Sequence, residues 1–194
     1  QYGARSTDEA IAFVAELKGK PGVYSYASSG TGGIGHLQTE LYKSLSGTFM
    51  THIPYRGGGP AVTDVMGGQV PLLWVSIPAA AQFIKTGKLK ALAVSTQKRS
   101  AAFPDVPTVQ EAGVADFEVD SWYAMFVPAK TPPAVIARLN QALNAVVSEP
   151  MIRDKLLAQG SEGVGGTPAD LAKTVAAELP KWAKLARDAN IRAD

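Results

Sequence analysis

The sequence predicts an α/β fold in which a mostly parallel sheet carries helices on both faces and is joined to a helical C-terminal part. Strand-forming and helix-forming patterns alternate over the first half of the 194 residues, and glycine-rich turns follow the first two predicted strands. The last third has helical periodicity and almost no strand-forming segment. Because such a segment needs a sheet to pack against, we expect it to belong to a second, incomplete lobe.

The alternation begins with a helix. Ser6 and Glu9 have the spacing of a capping box, which predicts a helix to about Lys18. A strand over 23–27 and a helix from Ile34 to Gly47 follow. The pattern then predicts a strand over 49–55, a helix opened by 57–60, a strand over 70–75, a helix over 78–85 and a strand over 89–95.

The amino-acid composition changes after Thr96, where prolines become frequent. A strand-like segment over 117–127 crosses back, and three helices follow, started by prolines in 128–133, at 150 and at 168. We therefore divide the chain into an α/β ligand-binding lobe, residues 1–117, and a crossing strand with C-terminal helices, residues 118–194. The second part is assigned to the incomplete lobe.

Composition excludes several function classes. With 46% hydrophobic and 19% charged residues, the chain can form a globular core and is not a disordered tail. Its net charge of +2, without any block of like charges, gives no sign of nucleic-acid binding. No apolar run approaches the ~20 residues of a membrane-spanning helix. No cysteine is present, so disulfides and thiolate metal sites are impossible, and Gln1–Arg5 lacks a signal-peptide pattern.

The run Ser28–Gly35 is the main candidate site, because it lies between a predicted strand and a predicted helix. Its glycines would let the N–H groups of 30–33 converge on an anion at the helix start, assisted by the hydroxyls of Ser29 and Thr31. The glycine spacing also matches the dinucleotide fingerprint, and Arg56 after the next strand suits a 2′-phosphate. An NADP-binding oxidoreductase domain is therefore an alternative, and a merely structural turn is another.

The remaining polar candidates are less specific. His36 lies in the first helical turn and either faces the ligand or lies at the surface, whereas His52, within a strand, is predicted to be structural. Arg56 belongs to a second strand-to-helix loop and either pairs with a carboxylate or is simply solvated. Trp122 and Tyr123 either wall the cleft or pack between lobes. No metal-ligand spacing and no nucleophile motif is present, which predicts neither a cofactor nor an enzyme.

A series of short stretches, in order along nearly the whole chain, forms one further pattern. The stretches are Tyr26-Ala27-Ser28-Ser29-Gly30 with His36-Leu37, Pro54-Tyr55-Arg56-Gly57, Gly67-Gly68-Gln69-Val70, 87–94, Pro104-Asp105-Val106-Pro107-Thr108, Glu111-Ala112-Gly113, Ser121-Trp122, Thr131-Pro132, Arg138-Leu139-Asn140 and Gly165-Gly166-Thr167-Pro168. Together they closely resemble the substrate-binding proteins of tripartite tricarboxylate transporters, often called Bug receptors. The resemblance implies a periplasmic, two-lobed Venus-flytrap receptor of the type II binding-protein class, which is not an enzyme. Such a receptor captures small carboxylates and hands them to membrane permease subunits.

The residues together with this resemblance give one set of expected ligand-binding positions: Ser28, Ser29, Gly30, Thr31, Gly32, Gly33, His36, Tyr55, Arg56, Ser76 and Ser121. Two departures from the family modify what the resemblance implies. Val75 and Ser76 stand where the family often has an Asp-Asn pair, which favours a di- or tricarboxylate over an amino acid. Nothing matches the family's long N-terminal segment.

The absent match has two further consequences at the level of the sequence. We expect self-association, or a partner chain, to cover the apolar faces of the C-terminal helices. A third hypothesis treats the chain as a non-binding remnant or an interaction module.

Overall fold

A computed structural model describes residues 6–192; Gln1–Arg5 and residues 193–194 lie outside this range. Seven helices and three strands are formed within it. In chain order they are α1 Thr7–Gly19, β1 Ser25–Ser28, α2 Ile34–Ser46, β2 Thr51–Pro54, α3 Gly58–Met66, β3 Leu72–Leu73, α4 Ile77–Lys85, α5 Pro133–Ser148, α6 Pro150–Ala158 and α7 Pro168–Asp188.

The strands form one parallel sheet with the order β2-β1-β3. Tyr26 on the central strand is opposite His52 on one side and Leu72 on the other. Because parallel strands end at the same edge, the loops that follow β1, β2 and β3 lie side by side. The predicted fold class, a parallel sheet with flanking helices, is confirmed.

Successive residues of β1 enter two different cores. Tyr26 points into the larger cluster, which contains Leu17 from α1, Tyr42 from α2 and Phe117. Its neighbour Ala27 points to the opposite face, where it meets Ala61 and Val70 with side chains of α3. Both faces of the sheet are covered, as strand alternation requires for a buried parallel sheet.

Two predicted strands are wrong. Within 89–95 only Val94 makes a bridge, to Thr108, and the segment 117–127 forms no strand in the described chain. The strand expected over 70–75 shortens to Leu72–Leu73, and α5 begins at Pro133. The segments 70–75, 89–95 and 117–127 fall short for the same reason: no neighbouring strand among the described residues supplies a full row of hydrogen-bond partners.

The C-terminal helices are poorly covered. Residues of α5, α6 and α7 are all half-buried or exposed, and Trp182 of α7 packs against the larger core. A cleft of about 2720 Å³ separates much of this part from the α/β lobe, and it is lined largely by apolar side chains. Among the described residues, none of the helices has both the length and the apolar character needed to span a membrane.

Candidate functional site

Three loops meet at the carboxyl edge of the sheet, as the parallel order predicts. The N–H of Tyr55 donates to the Ser28 carbonyl at 3.1 Å, and the N–H of Gly57 donates to the Ser29 carbonyl at 3.1 Å. The loop after β3 joins them, because the start of α2 rests against the backbone of Trp74. The loops after β1 and β2 are thus fixed to each other by backbone hydrogen bonds.

Gly35 sets how closely α2 approaches the sheet. A Cβ at this position would lie only 2.7 Å from the carbonyl oxygen of Trp74 and 3.7 Å from the Cβ of Ser28. Gly35, the third glycine of the fingerprint spacing, is therefore needed for close helix-to-strand packing, one of the roles that such a glycine has in dinucleotide-binding turns. It places the N-terminus of α2 directly above the ends of β1 and β3.

The glycine-rich loop uses most of its own backbone donors. Gly30 N–H donates to Ser28 Oγ at 3.3 Å, Gly32 N–H to His36 Nδ1 at 3.1 Å, and Gly33 N–H to the Gly30 carbonyl at 3.3 Å. A donor that is already bonded is given to a ligand only if that bond breaks. The expectation that residues 30–33 together offer their N–H groups is corrected: in that run Thr31 alone remains free within the described chain.

The first turn of α2 supplies the other free donors. The N–H groups of Ile34 and Gly35 have no partner among residues 6–192, as the geometry of a helix start requires. Gly33 caps this helix without a side-chain hydrogen bond. Beside it, the Ser29 side chain is exposed and Thr31 is half-buried. An anion at this point would meet N–H donors, hydroxyls and the positive end of the helix dipole.

Arg56 is the nearest cation on the second loop. Its side chain is exposed, and it has no ion-pair partner in the described part of the chain. By contrast, the neighbouring Tyr55 hydroxyl donates to Asp64 at 2.8 Å, which raises the pKa of the Tyr55 hydroxyl. Of these two predicted site residues, Arg56 is free to bind a carboxylate, whereas the Tyr55 hydroxyl is already hydrogen-bonded to Asp64.

Ser28 and His36 are buried, and they face inward. Ser28 Oγ lies 2.6 Å from His52 Nε2, and the His52 ring stacks on the His36 ring with centroids 3.8 Å apart. Burial lowers the pKa of both rings, and proximity to His36 lowers that of His52 further, to about 4. Neither of the two locations expected for His36, ligand-facing or superficial, describes it.

The sequence reasoning missed the polar cluster behind these rings. Glu40 Oε1 accepts from the Tyr26 hydroxyl at 2.9 Å and from Lys43 Nζ at 2.7 Å, and it lies 3.8 Å from His36 Nε2. Burial, followed by the nearby Glu40 carboxylate, raises the pKa of Tyr26 above its usual range. A usable signal was present, since His36, Glu40 and Lys43 are spaced four and three residues apart along one helix.

The remaining predicted residues lie further along the cleft. Ser76 caps α4 without a side-chain bond, and Ser121 accepts a hydrogen bond from buried Gln38 at 3.0 Å. Trp122 and Tyr123 are exposed, and both line the cleft. Both serines line the cleft of about 2720 Å³, whereas Ser29 and Thr31 do not.

That cleft is too large to be a small-ligand site by itself. Its volume of about 2720 Å³ is well above the range of ordinary pockets, which hold roughly 300–1,000 Å³. The polar groups suited to an anion lie instead at the loop edge. No group of three or more side chains suited to a metal ion occurs within residues 6–192.

Comparison with known proteins distinguishes between a dinucleotide fold and a receptor fold. The family model described as "Tripartite tricarboxylate transporter family receptor" matches residues 4–191. Protein BugT of Bordetella pertussis is 35% identical over 181 residues, which cover 93% of this chain and 56% of BugT. The chain thus spans about half of the length of the curated relatives that it matches.

Solved structures agree with the family match. A structure described as a periplasmic transporter superposes with a TM-score of 0.90 at 36% identity, covering 100% of this chain and 64% of that one. A protein of R. palustris with adipate gives 0.86 at 32% identity, covering 98% and 63%. MatC from Rhodopseudomonas palustris with bound malate gives 0.80 at 27% identity, covering 95% and 63%. The chain belongs to the tripartite tricarboxylate transporter receptor family.

Proposed function

We propose that this chain provides the anion-binding loops of an extracytoplasmic solute receptor for a small di- or tricarboxylate. The observation that carries the proposal is the group of unused donors at the carboxyl edge: the N–H groups of Thr31, Ile34 and Gly35, the Ser29 hydroxyl and the Arg56 guanidinium. Carboxylates are bound well by such donors at a helix start. The adipate and malate bound by the two similar structures support this ligand class.

The two residues that follow β3 refine the ligand class. Val75 and Ser76 follow β3, and Val75 packs with its Cγ2 3.6 Å from the position that a Cβ would take on Gly58. Val75 cannot accept a hydrogen bond from a ligand ammonium group, and the Ser76 hydroxyl, which can accept one, carries no negative charge to balance that group. A plain dicarboxylate therefore fits this edge better than an amino acid.

The wider setting is part of the same proposal. Delivery to membrane permease subunits and a periplasmic location follow from the family, whose described members are transporter receptors. We propose the division into lobes at residue 117, and burial supports it to within a few residues: Phe117 and Val119 both belong to the larger core, whereas residues from 122 to 130 are exposed. We further propose that a second copy or a partner chain covers the exposed apolar residues of the C-terminal helices, such as Val135, Leu139 and Leu143.

The ligand proposal is tested by calorimetric titration of adipate and malate into the chain and into two variants. Ser29→Ala removes one hydroxyl and is expected to weaken binding about fivefold, the value of roughly 1 kcal/mol for one hydrogen bond. Arg56→Ala removes the free cation and is expected to weaken binding by about tenfold to a hundredfold, since hydrogen bonds to charged groups are worth about 1.5–3 kcal/mol. Ser44→Ala, exposed on the last turns of α2, is the matched control and leaves affinity unchanged.

The competing hypotheses make different predictions in a thermal-shift screen. A ligand that binds only the folded chain raises its melting temperature by mass action. Stabilisation by NADP and by no organic acid would refute the receptor proposal and favour an oxidoreductase domain. Indifference to every acid and nucleotide would favour the non-binding remnant or interaction module.

A further inference from the structure

We propose that His36 is the positioning residue of the carboxylate-binding loop, and that protonation of its ring releases the loop and weakens binding. The proposal rests on the proposed function, because it concerns how the same loop is held. His36 is 8% exposed and acts through Gly32 rather than by touching the ligand. No metal, nucleotide or second site is needed for this role.

The hydrogen bond from Gly32 N–H to His36 Nδ1, 3.1 Å long, fixes the protonation state of that nitrogen. A nitrogen that accepts a hydrogen bond carries no proton, so His36 is neutral with its proton on Nε2. The bond makes the Gly32 N–H unavailable to a ligand. The free donors are then the N–H groups of Thr31 and of the first turn of α2.

The ring cannot easily turn away when it gains a proton. It stacks on His52 with centroids 3.8 Å apart and an interplanar angle of 20°, and it lies 6.5 Å from the Tyr26 ring. A protonated Nδ1 would place its new N–H against the Gly32 N–H, so two donors would oppose each other across the former hydrogen bond. We therefore expect the loop to give way, because the ring is held by stacking on His52 whereas Gly32 has no side chain that packs.

Among the described residues, four titratable groups lie around the His36 ring and determine the sign of the effect. From α2 these are Glu40 and Lys43, from β1 Tyr26, and from β2 His52. Glu40 lies 3.8 Å from His36 Nε2, and it would offset most of the positive charge that protonation brings. The ligand would therefore gain little attraction from the charged ring, whereas the loop would lose its hydrogen bond.

Acidification is the change that charges the His36 ring. Burial lowers the pKa of His36 below its usual value, so the ring is neutral near pH ~7 and takes up its proton as the solution becomes acidic. The neighbouring His52 also has a lowered pKa. Because the two rings are stacked, charging one opposes charging the other.

Two substitutions of His36 separate the hydrogen bond from the titration. His36→Asn keeps an acceptor, since its Oδ1 takes the place of Nδ1, but it does not titrate. His36→Leu keeps bulk and removes the acceptor. His52→Phe is the control for the other imidazole: it keeps an aromatic ring at this position and does not alter the Gly32 bond, and it removes the second titrating group together with its hydrogen bond to Ser28 Oγ.

Calorimetric titration with adipate at pH ~7.5 and pH ~4.5 tests the proposal, with affinities expressed relative to His36→Asn so that protonation of the ligand itself cancels. On acidification, the affinity of the natural chain for adipate should fall about three- to fivefold more than that of His36→Asn. The affinity of His52→Phe should fall as much as that of the natural chain. At the higher pH, His36→Leu should bind about fivefold more weakly than His36→Asn.

A second readout needs no ligand. In a nitrogen-resolved NMR titration of the natural chain, the Gly32 amide resonance should move with the same midpoint as the His36 ring nitrogens. If it does so while no protein binds adipate, the proposed function fails and the positioning bond stands. Equal pH dependence in His36→Asn, tighter binding on acidification, or a Gly32 amide that ignores the His36 titration would each overturn the inference.

Discussion

Replacing Gly35 by alanine tests the close approach on which the geometry of the site depends. The added methyl group would lie 2.7 Å from the carbonyl oxygen of Trp74, whereas ordinary van der Waals contact begins at 3.4 Å. The helix and the end of β3 must therefore separate by several tenths of an ångström. The oxygen belongs to the backbone and the Cβ is attached directly to it, so no side-chain rotation relieves the contact.

The expected cost combines two opposing effects. Overpacking a buried contact destabilises by about 1–3 kcal/mol. Alanine is a better helix former than glycine by about 1 kcal/mol in a helix interior, and by less in the first turn, where Gly35 lies. We expect the free energy of unfolding to fall by about 1–2 kcal/mol. Adipate binding should also weaken, because the free N–H groups of α2 move away from the loops.

Gly19→Ala is the matched control for this substitution. Gly19 is the last residue of α1, and a Cβ there would have no atom within 4 Å. This variant should be neutral or more stable by up to about 1 kcal/mol. Urea unfolding followed by circular dichroism measures both. If Gly35→Ala gains stability as Gly19→Ala does, α2 is not pressed against Trp74 and the reasoning fails.

Two further predictions concern stability. Phe117→Ala should lower the free energy of unfolding, measured in urea, by about 3–5 kcal/mol, because Phe117 is 0% exposed. Phe126→Ala is the control: Phe126 is 68% exposed, and its loss should change stability by less than about 0.5 kcal/mol. A large loss at Phe126 would show that a second chain covers it. The folded pKa of His52 is about 4 and the unfolded one about 6.5, so the unfolded chain takes up the proton first. The stability contribution is complete above pH ~6.5 and is lost as pH falls toward ~4, by about 1–2 kcal/mol after allowance for solvent screening; His52→Phe should lose less between pH ~6.5 and ~5, and an equal loss in both would contradict the assignment.

The helix pattern and the glycine turns were predictable because their signals are local. Ser6 caps α1 by accepting from the Glu9 N–H at 3.3 Å, and Gly47 ends α2 in the left-handed conformation, with φ +66°. The parallel order of the sheet followed from helix crossovers between strands. The same reasoning placed the first two loops at one edge, which the hydrogen bond from Tyr55 N–H to the Ser28 carbonyl confirms.

The interior of the site was not predictable because it depends on pairings across the sheet. Sequence spacing does not reveal that His52 of β2 would stack on His36 of α2, or that Ser28 would turn toward His52 rather than toward a ligand. The direction of a side chain in a short strand depends on register, and one residue of slip reverses it. The donors of Gly30 and Gly32 were misassigned for a related reason, since partners inside a loop are set by its turn geometry.

The unequal fate of helices and strands after residue 117 follows from where each finds its hydrogen bonds. A helix satisfies its backbone within its own segment, so α7 forms with no buried residue, started by a capping box between Thr167 and Asp170. A strand needs a neighbour for every donor and acceptor. The segment 121–127 is rich in strand formers, yet Tyr123 remains 77% exposed and no strand forms there within the described chain. Strand propensity therefore becomes strand structure only where another strand lies beside it.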